Sequence, residues 1–271
     1  MRSPHQISPV FKERIWGRRD LSPLFPLRPS EPIGEAWFPA ETDLLLKLIF
    51  TTERLSVQVH PDDAYAAAHH QSLGKTEAWY IIDAQPQAEV AVGFREQLTP
   101  DRARDAAQSG EIEHLLAWHK VKPGDVVFVP AGTVHAIGAG LTICEVQENS
   151  DVTYRLYDYG RPRELHLDHG MAVAKLEPYS FASPVRQLAK GRDLLVECGY
   201  FNMERLQPQA SIALDAGLPS SAILICVRGE AKASEAWFIP ADGESFSIEA
   251  RRSEWILTYT ADQPLTGIQV S

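Results

Sequence analysis

The chain has 271 residues, of which 44% are hydrophobic and 23% charged, and its formal net charge is −10. This length allows one large domain or two modest ones, and the acidic balance argues against binding to nucleic acids or anionic membranes. No apolar run approaches the roughly 18 to 20 residues of a membrane span, and we expect no secretory signal because the N-terminal sequence lacks an apolar core.

The three cysteines are widely spaced and lie in apolar surroundings. They are Cys144, Cys198 and Cys226. This pattern indicates buried free thiols in a reducing compartment rather than a disulfide framework. We therefore expect a cytoplasmic protein with no nucleic-acid or membrane partner, present as a monomer or a weak homo-oligomer. A small anionic substrate remains compatible with the net charge, because a few local cations can dominate a cleft.

Short β-branched and aromatic runs, separated by Pro and Gly, dominate the chain up to about residue 160. They read LLLKLIF, LSVQV, EAWYII, AEVAVGF, DVVFVPA, LTICEVQ and VTYRLYDY. This spacing predicts an all-β sandwich or barrel. Two helical stretches interrupt it. One covers residues 61–70 with Pro61 at its first position, and the other covers residues 99–118 with a break near Gly110.

A second series of strand-like runs follows residue 184. It reads LLVECGYFNMERL, SAILICVRGEAKA, EAWFIPADGESFSIEA and EWILTYTA. These runs carry no clustered metal-type ligands. We therefore predict a catalytic domain over residues 1–183 and a smaller β-domain over residues 184–271.

The run LSVQVHPDD places two polar side chains on one face of a strand. Strand alternation puts Gln58 and His60 on the same face, with Val57 and Val59 on the other. A polar pair on the inner face of a sheet costs free energy unless something binds it. The simpler interpretation of such a histidine is a polar residue satisfied within the core.

Two later runs offer partners for this pair. In GKTEAWYII a strand begins with Glu77, and Lys75 shares its face; in VPAGTVHAIG a Pro-Ala-Gly corner precedes His135. If short strands of a barrel bring these groups together, they form a nitrogen and oxygen ligand set suited to a borderline divalent ion, above all Zn²⁺. One carboxylate with three neutral ligands leaves such a site near +1, which suits an anionic transition state. A buried Glu77 is also compatible with a structural ion pair.

The run TYRLYDY adds a cation to the inner face. Tyr154 and Leu156 face one way, while Arg155 faces the other. An inward arginine is either half of an internal salt bridge, with Asp158 or Glu148, or a bidentate holder of anionic oxygens.

Five motifs in this order resemble the type I phosphomannose isomerases in their short bacterial form. They are LSVQVHPDD, GKTEAWYII, VPAGTVHAIG, NSDVTYRLYDYGR and RELHL. The resemblance runs from about residue 15 to about residue 185. It implies a mainly β fold, a cupin-like jelly-roll barrel with a small helical insertion at about residues 99–118 and a second, smaller β jelly-roll domain. It also implies one zinc ion per chain and the interconversion of mannose 6-phosphate and fructose 6-phosphate.

Carried over position by position, the resemblance implies a role for each matching residue. The zinc ligands are Gln58, His60, Glu77 and His135. Arg155 steadies the enediolate, Lys75 lies beside the metal near the reacting carbons or the phosphate, and Ser56 and Lys47 line the pocket and help to hold the phosphate. Glu148 and a metal-bound hydroxide are both candidates for the base that removes the carbon-bound proton.

The chain departs from the family pattern where GEAWFPA and LLLKLIF are joined only by ETD, and where YGRPREL is shortened. Ala78 replaces the usual cysteine after the metal glutamate. A trimmed pocket is compatible with a different sugar phosphate, or with a catalytically weak sugar-binding or regulatory paralogue. A metal-dependent cupin oxygenase is disfavoured, because redox iron prefers two histidines and a carboxylate with open positions.

Overall fold

The computed structural model describes residues 2–181, 184–229 and 233–271, and it consists mainly of antiparallel strands with a few short helices. The strands are β1 (His5–Gln6), β2 (Val10–Arg18), β3 (Ile33–Phe38), β4 (Leu44–Phe50), β5 (Val57–Val59), β6 (Glu77–Ala84), β7 (Glu89–Phe94), β8 (Leu116–Lys120), β9 (Val126–Val129), β10 (His135–Ile137), β11 (Leu141–Glu148), β12 (Tyr154–Tyr157), β13 (Arg186–Ala189), β14 (Arg192–Glu197), β15 (Asn202–Leu206), β16 (Ser211–Leu214), β17 (Ala222–Arg228), β18 (Ala236–Ile239), β19 (Phe246–Glu249), β20 (Glu254–Tyr259) and β21 (Ile268–Val270). The helices are α1 (Asp63–His70), α2 (Pro100–Ser109), α3 (Ile112–Leu115) and α4 (Leu167–Val173).

The chain divides into two compact units. The central unit contains Ile15–Arg18 and Ile49–Ala182, and the C-terminal unit contains Met1–Arg14, Arg19–Leu48 and Ser183–Ser271. The predicted division into independent domains at residues 183 and 184 stays a prediction, and residue 183 itself lies outside the described residues.

The central unit is built from two groups of antiparallel strands. One sheet runs β12–β5–β10–β7–β8, and in the other group β6 lies between β11 and β9. Val57 and Val59 pack with α2 and α3 in an apolar cluster on the outer face of β5. Gln58 therefore faces the inner side, where apolar side chains of β6, β7, β9, β10 and β11 form a second cluster.

Helix α1 begins two residues later than the predicted stretch. Asp62 has an extended backbone, and its side chain accepts a hydrogen bond from the backbone N–H of Tyr65 at 2.9 Å. An N-cap aspartate satisfies a donor of the first turn that the helix itself leaves unpaired. Pro61 thus lies between His60, which follows β5, and Asp62, which is the N-cap of α1.

The second helical stretch splits at Gly110, as the sequence predicts. Thr99 caps α2, and Gly110 ends it with a left-handed φ of 86°. The helical stretch stops at Leu115 rather than near residue 118. The following residues form β8 because they pair with β7, with Phe94 opposite Leu116.

The C-terminal unit contains a sandwich whose larger sheet runs β1–β18–β17–β20–β15–β14–β13 and whose smaller sheet runs β19–β16–β21. Side chains of both sheets share one apolar cluster. Inside it, Arg192 Nε donates to Glu204 Oε2 at 2.6 Å, and the Tyr259 hydroxyl donates to the same carboxylate. Within the described part of this unit, no three His, Cys, Asp or Glu side chains form a metal-binding group. Residues 230–232 of the run SAILICVRGEAKA lie outside the described residues.

Among the described residues, no helix is long and apolar enough to cross a membrane.

Gly138 lies immediately after β10, the strand that begins with His135. Its backbone N–H donates to the carbonyl oxygen of Glu89 at 3.0 Å, and a Cβ at this position would lie 2.2 Å from that same oxygen. The close approach of β10 to β7 therefore requires a residue without a side chain.

We expect Gly138→Ala to lower the free energy of unfolding by about 1–3 kcal/mol, because the backbone of β10 must move to relieve the overlap. Urea denaturation measures the change. Gly199→Ala is the matched control, since nothing lies within 4 Å of a Cβ placed there, and we expect it to stay within about 0.5 kcal/mol of the unchanged protein. Equal effects of the two substitutions would contradict this account of the β10–β7 contact.

Candidate metal centre

Strand register brings three of the predicted site residues side by side. His135 of β10 lies directly opposite Gln58 of β5, and Arg155 of β12 lies opposite Gln58 on the other side. Directly opposed residues of antiparallel strands project from the same face. Gln58 therefore stands between His135 and Arg155 on the inner face of the sheet, as its alternation with Val57 and Val59 predicts.

The carboxylate of Glu77 is the meeting point of the site. Its Oε1 lies 3.2 Å from Nε2 of His135, and its Oε2 lies 3.5 Å from Nε2 of His60. Lys75 Nζ lies 3.1 Å from the same Oε2. Glu77 and His135 are 0% exposed and His60 is 1% exposed. The ligand atoms of these two histidines and Glu77 all lie within 4.8 Å of one another, which allows this group to hold a metal ion.

Backbone carbonyls fix the orientation of both imidazole rings. Nδ1 of His60 lies 3.0 Å from the carbonyl oxygen of Val152, and Nδ1 of His135 lies 2.9 Å from that of Thr133. A carbonyl oxygen only accepts, so each Nδ1 carries the hydrogen and donates it. In the neutral ring Nε2 is then the lone-pair atom, and in both residues it faces Glu77. Metal-binding histidines are commonly held in this way.

Electrostatics favour a cation between these groups. Burial, together with the nearby charge of Lys75, lowers the pKa of His135 to about 4, so the ring is neutral at pH 7. A neutral Nε2 lone pair that faces a carboxylate oxygen at 3.2 Å is repulsive unless a positive charge lies between them. Two imidazole nitrogens and a carboxylate are the donors that a borderline divalent ion prefers. The residues present therefore fit a metal.

Gln58 lies at the edge of this cluster. Its Nε2 is 3.3 Å from Nε2 of His135, and its Oε1 accepts from the hydroxyl of Ser56 at 3.4 Å. A hydroxyl can donate or accept, so rotating the amide by 180° keeps a hydrogen bond to Ser56. That rotation turns Oε1, the atom with which an amide binds a metal, toward His135.

Arg155 is not half of a salt bridge in the described part of the chain. Asp158, its predicted partner in that interpretation, is bonded to Arg161 and Arg163. The Arg155 guanidinium donates to the carbonyl oxygen of Glu164 at 2.7 Å, while its Nε is buried without a hydrogen-bond partner among the described residues. Burial and the charge of Arg163 lower its pKa. The Arg155 guanidinium, a cation that can bind two anionic oxygens at once, thus lies on the strand position opposite Gln58.

The other predicted residues have different surroundings. Lys47 belongs to the C-terminal unit, where its Nζ lies 4.6 Å from the ring centroid of Trp37. Glu148 is buried, and its Oε2 accepts from the backbone N–H of Thr76 at 2.6 Å. Gln147, rather than Glu148, lies opposite Glu77 in the β11–β6 register. The structure therefore brings Gln58, His60, Lys75, Glu77 and His135 together with Ser56 beside them, and it holds Glu148 at Thr76.

One buried acid near the site is absent from the sequence-based predictions. Glu145 is 3% exposed, lies opposite Trp79 in register and accepts from its indole N–H at 3.1 Å. Its charge raises the pKa of His135, which opposes the effect of burial. The alternation of LTICEVQE could have revealed it, because Glu145 and Gln147 share one face of β11.

Comparison with known proteins gives a consistent result, although no protein-family model matches the chain. The mannose-6-phosphate isomerase ManA of Bacillus subtilis is 36% identical over 276 residues, which cover 84% of this chain and 87% of that protein. The mannose-6-phosphate isomerase of Streptococcus mutans is 39% identical over 184 residues, which cover 65% of this chain and 58% of that protein.

The crystal structure of mannose 6-phosphate isomerase from Bacillus subtilis superposes with a TM-score of 0.77 at 30% identity, and the match covers 95% of this chain and 99% of that one. This likeness over nearly the whole chain confirms the predicted cupin-like fold class. Together with the relatives in sequence, it shows that the chain belongs to the mannose-6-phosphate isomerase family.

Proposed function

We propose that this chain is a zinc-dependent aldose–ketose isomerase that interconverts mannose 6-phosphate and fructose 6-phosphate through a cis-enediol or its anion. The observation that carries the proposal is the buried group of His60, Glu77 and His135, with both Nε2 atoms turned toward one carboxylate. Membership of the mannose-6-phosphate isomerase family supports the choice of substrate. The three cysteines are free thiols, which supports a reducing, cytoplasmic location.

Zinc is the ion that this donor set favours. His60 and His135 would supply nitrogen, and Glu77 and Gln58 would supply oxygen, with one site per chain. The ligand set carries a single negative charge, so a divalent ion leaves the centre near +1. When bound, the ion supplies the positive charge that stabilises the anionic enediolate.

The reaction moves a proton between two neighbouring carbons of the sugar and another proton between their oxygens. The contacts of Lys75 support a role in the transfer between oxygens, because its side chain is 5% exposed and its Nζ lies 3.1 Å from Glu77 Oε2. A buried lysine held beside a carboxylate keeps its proton in reach of a substrate oxygen and excludes water from it. We propose Lys75 as the group that donates and recovers this proton.

Arg155 is the proposed holder of the enediolate oxygens. Its register position opposite Gln58 puts the guanidinium on the face that carries the metal ligands. A planar cation that can bind two oxygens at once stabilises a cis-enediolate better than it stabilises the neutral sugar. Ser56 is proposed to contribute to binding of the phosphate, as the family resemblance implies.

We expect Arg155→Ala to lower kcat for mannose 6-phosphate by about 10²-fold, because removal of one oxyanion-stabilising donor typically costs that much. The assay couples fructose 6-phosphate formation to a dehydrogenase, with the protein loaded with zinc and a chelator-treated sample in parallel. Arg186→Ala is the matched control, since Arg186 is exposed and paired with Glu197. No turnover by the zinc-loaded, unsubstituted protein would refute the proposed substrate, and unchanged kcat in Arg155→Ala would refute the role of that residue.

We expect His135→Ala to lose nearly all bound zinc, because Nε2 of His135 is one of two buried nitrogen donors beside Glu77. Elemental analysis after dialysis against a zinc buffer gives the metal-to-protein ratio. His114→Ala is the matched control, since His114 is exposed. Equal zinc content in the two variants would show that His135 is not a ligand.

A further inference from the structure

Glu148, at the end of β11, makes two hydrogen bonds to the backbone of Thr76, one through its carboxyl group and one through its own backbone N–H. Glu148 Oε2 accepts from the Thr76 N–H at 2.6 Å, and the Glu148 N–H donates to the Thr76 carbonyl oxygen at 3.1 Å. Glu148 is 4% exposed. A short bond between a carboxylate and a backbone N–H in a buried setting is among the stronger hydrogen bonds in proteins.

Thr76 separates the two residues on which the site depends. Lys75 precedes it and Glu77 follows it, so a fixed peptide at Thr76 limits the motion of both side chains. Two further bonds hold the same segment: the Gly74 N–H donates to Asp63 Oδ1 at 2.7 Å, and the Lys75 N–H donates to the Pro61 carbonyl at 3.0 Å. The segment is therefore anchored to β11 and to the start of α1.

Burial and the neighbouring charge of Asp63 raise the pKa of Glu148, and the Thr76 N–H lowers it; the net pKa is about 7. Whether it is protonated or ionised, the carboxyl group keeps an oxygen that accepts from the Thr76 N–H, and a glutamine side chain keeps the same acceptor.

The turn that follows Glu148 also reaches the metal ligands. The Ser150 N–H donates to the Glu148 carbonyl at 2.7 Å, and the carbonyl of Val152 receives the Nδ1 hydrogen of His60 at 3.0 Å. A single stretch, residues 148–152, thus orients His60 directly and holds Glu77 through Thr76.

We infer that Glu148 is a positioning residue, which holds the backbone of Thr76 and so fixes Lys75 and Glu77 for the reaction. The role as the base that removes the carbon-bound proton is less compatible with its contacts. Gln147, not Glu148, is the register partner of Glu77, and the Glu148 carboxyl accepts a hydrogen bond from the backbone N–H of Thr76. A base must instead reach a substrate proton on the inner face.

The test compares Glu148→Ala and Glu148→Gln in the full-length protein. Because the effect on turnover rests on the proposed function, two readouts independent of activity accompany it: Zn²⁺ affinity, measured by competition with a chromophoric chelator, and amide hydrogen exchange of the peptide that contains Thr76. We expect Glu148→Ala to lower kcat and Zn²⁺ affinity by about tenfold or more, as loss of a group that orients a ligand does, and to speed exchange at Thr76. Glu148→Gln should recover all three values to within about threefold, because it retains the side-chain oxygen that accepts from the Thr76 N–H. Glu96→Ala, at an exposed position, is the matched control.

Two outcomes would overturn the inference. If Glu148→Gln is as inactive as Glu148→Ala while its Zn²⁺ affinity and Thr76 exchange are normal, Glu148 is the base. If Glu148→Ala matches the unsubstituted protein in all three measurements, the residue has no such role. If the unsubstituted protein fails to convert mannose 6-phosphate, the proposed function fails, whereas Zn²⁺ affinity and hydrogen exchange still decide the positioning role.

Discussion

The fully buried carboxylate of Glu77 is the constraint around which the central unit is organised. A carboxylate removed from water costs several kcal/mol unless positive or donating groups surround it. Lys75 supplies one positive charge at 3.1 Å, which balances Glu77 alone. A divalent ion held by the same carboxylate and the imidazoles of His60 and His135 would leave the pocket positive, and the negative charge of an enediolate would offset part of that excess. With the proposed ion bound, such a pocket would favour a transition state that is more negative than the ground state.

The central unit meets this constraint by placing apolar side chains on one face of a strand and the polar side chains of the site on the other. On β5, Val57 and Val59 join the apolar cluster under α2 and α3, while Gln58 turns inward beside His135. Close packing on the outer face fixes the strand, and strand alternation then fixes where the polar side chains point. Carbonyl oxygens of Val152 and Thr133 complete the arrangement by orienting the rings.

Features with a local cause could be predicted from the sequence. The shared face of Gln58 and His60 follows from strand alternation, and the break at Gly110 follows from the left-handed conformation that glycine adopts without strain. Helix α1 starts two residues later than predicted, because Asp62 is its N-cap and not a residue of its first turn. The spacing of residues alone could not predict that Glu77 and His135 lie beside Gln58 and His60. The five ordered motifs predicted it through the resemblance to a known family.

Features that depend on long-range pairing could not be predicted in this way. Residues 116–118 form strand rather than helix because β7 pairs with them. The sequence could not decide whether Arg155 pairs with Asp158, because that depends on Arg161 and Arg163, which fold back onto the same carboxylate. The hydrogen bond between the Glu148 side chain and the backbone of Thr76 joins residues far apart in the chain, and neither residue alone indicates it.

X-ray absorption at the zinc edge of the zinc-loaded protein tests the central claim most directly, because it reports the ligand atoms without reference to turnover. The account predicts a first shell of nitrogen and oxygen, with the outer-shell scattering of two imidazoles and no sulfur. Sulfur in the first shell, or the absence of imidazole scattering, would contradict binding by His60, Glu77 and His135.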